Sequence, residues 1–98
     1  MSRHEAILDN LEKRVKKMLK NGFVTRDVEY VVNGVKGQVD LLAYDNKHDS
    51  WTFYEVKSSK KPARTLKAYE QFYKFRGAFP DYDVNGVLIN NKEVKRLR

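Results

Sequence analysis

Asn33-Gly34 stands between two strand-like runs, "FVTRDVEYVV" (23–32) and "VKGQVDLLAY" (35–44). A two-residue hairpin of this type needs positive φ at both central residues, which Asn and Gly adopt more readily than other residues. That turn sets the register: Val32 faces Val35 and, stepping outward, Asp27 faces Asp40. The polar loop "DNKHDS" (45–50) then leads into a third run, "WTFYEVKSS" (51–59). Symmetrical closure of that loop faces Tyr44 with Trp51 and Asp40 with Glu55. A three-stranded antiparallel meander is predicted.

The flanking segments have helical rather than strand periodicity. Over 5–20, Leu8, Leu11, Val15 and Leu19 recur at intervals of three and four, and Asn21-Gly22 ends the run. Pro62 stops what precedes it, and 63–79 predicts a second helix ending near Gly77. Residues 84–89, "VNGVLI", predict a last strand before a basic tail, Lys92 to Arg98. No repeat, low-complexity segment or Pro/Gly/Ser linker divides the chain, so 1–98 is expected to be one domain. The expectation is α/β: a central mixed sheet flanked by helices, in the order αβββαβ.

Charges inside two of these strands need compensation. Asp40 lies within an apolar run, and Glu55-Val56-Lys57 lies within the next. Side chains alternate along a strand, so Lys57 shares a face with Glu55 while Val56 points the other way. Directly opposed carboxylates, with Cβ atoms about 5 Å apart, repel each other. A divalent cation removes that repulsion, and Mg²⁺ favours carboxylate oxygens. The structural alternative is a salt-bridged sheet surface on which Lys57 neutralises Glu55.

Twenty Lys and Arg against 13 Asp and Glu leave a net charge of +7, which favours a polyanionic partner. Nucleic acid is the leading candidate and an anionic membrane surface the second. The absence of cysteine excludes disulfides, thiolate zinc sites and iron-sulfur clusters, and fits a reducing interior. Neither a secretory signal nor an apolar run of spanning length is present, so a cytoplasmic protein without membrane attachment is expected.

Together, Glu12, Gly22-Phe23, Gly37-Gln38-Val39-Asp40-Leu41-Leu42 and Glu55-Val56-Lys57-Ser58 resemble the ordered motifs of the PD-(D/E)XK nuclease superfamily. The likeness is closest to the archaeal Holliday junction resolvases and the small RecB-like nucleases. It covers residues 5–59, and Val39 stands where the superfamily often has its proline. The resemblance implies a restriction-endonuclease-like core and an Mg²⁺- or Mn²⁺-dependent deoxyribonuclease. Asp40, Glu55, the Val56 carbonyl and Glu12 are then the metal ligands, and Lys57 orients the attacking water. Its DNA substrate would be a junction, a duplex end or a single strand. A resolvase also implies a homodimer, for which the periodicity marks no interface.

Further positions follow with the same status. Glu5 lies on nearly the same helix meridian as Glu12 and is the alternative helix ligand, and Asp27 is a third. In RecB-like relatives a glutamine on the later helix orders the active site. Gln71 occupies that place, with Phe75 where a tyrosine is usual. Lys60, Lys61, Arg64, Lys67, Lys74 and Arg76 are candidate phosphate contacts. Tyr69, Phe72, Tyr73 and Phe75 are expected to pack on the sheet rather than stack on bases. His4, at a frayed terminus, and His48, in a loop, are expected to lie away from the carboxylates. The competing function is a nucleic-acid-binding module on the same fold, without catalysis.

Overall fold

The computed structural model describes residues 2–58, 62–90 and 93–97, and Pro62 and Ala63 by their backbone alone. Helix α1 (Arg3–Met18) leads into β1 (Gly22–Val32), β2 (Val35–Asp45) and β3 (Ser50–Val56). Helix α2 (Pro62–Ala78), β4 (Asp83–Ile89) and β5 (Val94–Leu97) complete the order αβββαββ. The five strands form one mixed sheet in sequential order. Only β3 and β4 are parallel, and α2 supplies the crossover that a parallel pair requires.

The expected order is corrected by one element. Residues 94–97, assigned to a basic tail, pair antiparallel with β4 as an edge strand and bury Leu97 in the cluster that holds Phe72. Lys95 and Arg96 leave that outer edge cationic, which discourages pairing with another chain.

The helices cover opposite faces. Leu8, Leu11 and Val15 of α1 pack with Leu41, Ala43, Val56 and Ile89. Ala68, Phe72 and Phe75 of α2 pack with Val39, Leu42, Phe53 and Leu88. Burial of such side chains stabilises by about 1.5–3 kcal/mol each. α1 begins earlier than the periodicity predicts because Ser2 caps it: its Oγ accepts the Glu5 N–H at 3.1 Å. Among the described residues no helix is long and apolar enough to cross a membrane.

Both hairpin registers agree with the turn chemistry. Asn33 and Gly34 have φ of 51° and 77°, and Val32 faces Val35. On the other side of β2, Tyr44 faces Trp51, and the ladder runs to Leu41 and Tyr54.

One irregularity in β1 and β2 positions everything that follows. Asp27 and Asp40 drop out of the ladder, although Arg26–Leu41 and Val28–Val39 pair on either side of them. Asp27 has φ of 52°, a left-handed conformation that Asp tolerates better than bulkier residues. Facing reverses there: Val24 packs on the α1 side, but Val28, Tyr30 and Val32 pack on the α2 side. On β2, Val39 belongs to the α2 core and Leu41 to the α1 core. Such breaks re-aim side chains, and here the side chain between the two facings is Asp40.

Candidate active site

Beyond Leu41 and Tyr54 the backbone ladder between β2 and β3 ends, and a side chain takes over the pairing. Asp40 Oδ2 accepts the backbone N–H of Val56 at 2.8 Å. The carboxylate of a strand residue thus replaces a carbonyl, and it is held where the two strands part.

Glu55, on the α2 face beside the Asp40 carboxylate, is only 5% exposed. Its carboxyl group is pushed from 4.5 up to about 7, first by burial and then by the charge of Asp40. Lys57 opposes this shift without cancelling it; its Nζ lies 3.2 Å from Glu55 Oε2. Val56, between them, is fully buried on the opposite face, as alternation requires.

A cleft of about 160 Å³ gathers these groups. It is lined by Gln38, Asp40, Glu55, Lys57, Lys67 and Gln71. Lys67 and Gln71 reach it together because they are one helical turn apart on α2. Gln71 Oε1 is buried and has no hydrogen-bond partner among the described residues.

Other expected site residues lie elsewhere. Glu12 is on the α1 side, 3.5 Å from Lys16 Nζ and 3.9 Å from Arg26 Nε, and does not line the cleft. Arg26 also bonds Asp9, so the margin of α1 is a small ion-pair network. Glu5 and Asp27 are exposed. Arg64 is exposed, and Lys74 lines an adjoining hollow. Arg76 sits 5.3 Å from the ring centres of both Phe72 and Tyr73, on another flank of α2. Lys60 and Lys61 lie outside the described residues. Phe72 and Phe75 pack in the core and Tyr69 against it, whereas Tyr73 is largely exposed.

His4 overturns the expectation that both histidines stand apart from the carboxylates. Its Nε2 is 3.5 Å from Asp40 Oδ2. Two signals in the chain point there: Ser2 and Glu5 have the spacing of a capping box, and His4 continues the Leu8, Leu11, Val15 meridian. His48 does lie apart, 2.7 Å from Asp45 Oδ2 in the loop.

Among the described residues no group of three or more His, Cys, Asp and Glu forms a metal cage. Mg²⁺, however, is usually held by one or two carboxylates plus water and substrate phosphate. Burial and the neighbouring Asp40 carboxylate hold a proton on Glu55 toward neutrality even with Lys57 beside it, and two adjacent carboxyls are a donor set that suits a hard divalent cation. No known protein family, curated protein or solved structure matches this chain.

Proposed function

We propose that this chain is a metal-dependent nuclease hydrolysing phosphodiester bonds of DNA on a restriction-endonuclease-like core. We assign it structure-specific or end-processing activity of the resolvase-like or RecB-like kind. The observation that carries this reading is the convergence of Asp40, Glu55 and Lys57 on one cleft at the point where β2 and β3 separate. A sheet surface built for stability has no use for a buried carboxyl whose proton affinity is raised by burial and by a second carboxylate beside it.

Asp40 and Glu55, with the Val56 carbonyl, are the groups that would hold Mg²⁺ or Mn²⁺, which when bound lowers the pKa of an attacking water. The protein's own contributions are positional. Val56 fixes the Asp40 carboxylate through its N–H. Lys57, held beside Glu55, orients the water and meets negative charge that develops on the phosphoryl oxygens. Lys67 stands at the rim of the same cleft to steady a neighbouring phosphate. Gln71 Oε1 is an acceptor available to the water or to the substrate.

A second reading, a nucleic-acid-binding module without hydrolysis, draws on one observation. Glu12 is engaged by Lys16 and Arg26 rather than turned to the cleft, so the ligand set expected from the helix is incomplete. Incubation with labelled junction, duplex and single-stranded DNA, with and without Mn²⁺, separates the two. Metal-dependent cleavage of any substrate supports the enzyme; binding to DNA with none cut supports the module.

A further inference from the structure

Next to the active-site cleft lies a second hollow of about 310 Å³, whose lining includes Tyr30, Lys36, Gly37, Gln38, Gln71 and Lys74. Gln38 and Gln71 line both, so the two hollows adjoin between β2 and α2. Only three buried side-chain polar atoms lack a hydrogen-bond partner among the described residues, and two of them, Tyr30 Oη and Gln71 Oε1, belong to residues of this hollow. An unpaired buried hydroxyl is destabilising, and an occupant of the hollow that bonds it would remove that cost.

Tyr30 is held firmly in that pose. It is 8% exposed, with its ring edge-on to Phe75 and Phe79 at 5.3 and 5.6 Å. Its hydroxyl end lies over Gly37, where a Cβ would approach the oxygen to 2.2 Å. Only glycine at 37 leaves room for the tyrosine.

The chemistry of the floor selects the occupant. Gln71 Oε1 accepts a hydrogen bond and the Tyr30 hydroxyl can give or take one, so a phosphodiester, which only accepts, can serve the tyrosine but not Gln71 Oε1. A nucleobase edge carries an N–H donor beside an acceptor, so it can serve an acceptor such as Gln71 Oε1 and a hydroxyl such as that of Tyr30. In a duplex that edge is engaged by the partner strand. At the rim, Lys36 and Lys74 suit the flanking phosphates. The volume is near the low end of ligand pockets, roughly 300 Å³, and fits one base better than a larger group.

We propose that this hollow is a subsite for an unpaired nucleobase next to the carboxylate cleft, so that the preferred nucleic acid is single-stranded or frayed DNA. The subsite rests on the nucleic-acid reading above but not on hydrolysis. Fluorescence anisotropy without metal tests it, using a short mixed-sequence single strand, the same strand with abasic sites, and a blunt duplex. Tyr30→Phe weakens single-strand binding by roughly two- to tenfold, leaves duplex binding unchanged, and melts at or above the parent temperature because an unpaired hydroxyl is gone. Unchanged single-strand affinity in Tyr30→Phe, or an abasic strand bound as tightly as the intact one, overturns the proposal. Cleavage is scored separately. A parent that cuts while Tyr30→Phe binds like the parent discards the subsite alone; a parent that never cuts while Tyr30→Phe loses affinity keeps the subsite and discards hydrolysis.

Discussion

Val56 gives its backbone N–H to Asp40 Oδ2 at 2.8 Å, so the same carboxylate that stands beside Glu55 also closes the end of the β2–β3 pairing. Structure and chemistry therefore depend on one side chain. Asp40→Ala leaves a part-buried N–H without its acceptor and is expected to destabilise by about 1–3 kcal/mol. Asp40→Asn keeps an acceptor and is expected to fold nearly as well as the parent while losing Mn²⁺ binding. Urea denaturation and calorimetric metal titration on both variants check this.

Glu55 makes stability depend on pH in an unusual direction for a carboxyl. Its folded value of about 7 is above its ordinary 4.5, so the folded state binds the proton more tightly. That contribution is complete below 4.5 and is lost as pH rises through 7. Relative to Glu55→Gln, the metal-free parent should lose on the order of 3 kcal/mol between pH 5 and pH 8. Mn²⁺ should restore part of this at pH 8, where the deprotonated pair binds it best. Parallel stability profiles for parent and variant would contradict the assignment.

Lys57 distinguishes catalysis from a surface ion pair. If it acts on charge that develops only in the transition state, Lys57→Met should reduce turnover by about 10²–10³ with DNA and metal affinity retained. A variant that cuts at the parent rate would falsify the mechanism.

Association with DNA should weaken steeply with salt, because phosphate neutralisation releases counterions. Titrations from about 50 to 200 mM salt are the measurement. An unchanged affinity would count against a phosphate-tracking surface, and loss of slope in Lys67→Met would place one contact at the cleft rim.

Leu97 should behave as a core residue despite its basic neighbours. It is 3% exposed and pairs with Gly86 across β4 and β5. Leu97→Ala is expected to cost about 2–5 kcal/mol, seen as a lowered denaturation midpoint. Truncation from Lys92 onward should destabilise as well, rather than weaken DNA binding alone.

What the sequence determined by itself was local. Turn chemistry at Asn33-Gly34 and the symmetric 45–50 loop set two hairpin registers, and alternation placed Glu55 and Lys57 on one face with Val56 on the other. These follow because period and turn type act between residues close in the chain. Tertiary structure decided the rest. The break at Asp27 and Asp40 reverses facing within a strand, which alternation from either end does not reveal. His4 meets Asp40, and Glu12 meets Arg26, because α1 lies over particular strands, a choice made by packing Leu8, Leu11 and Val15 against residues far along the chain. Residues 94–97 become a strand because the open edge of β4 and a place for Leu97 exist only once the sheet has formed. A four-residue run with Lys and Arg at its centre carries too little pattern to declare itself beforehand, since its stability comes from the partner strand and not from its own propensity.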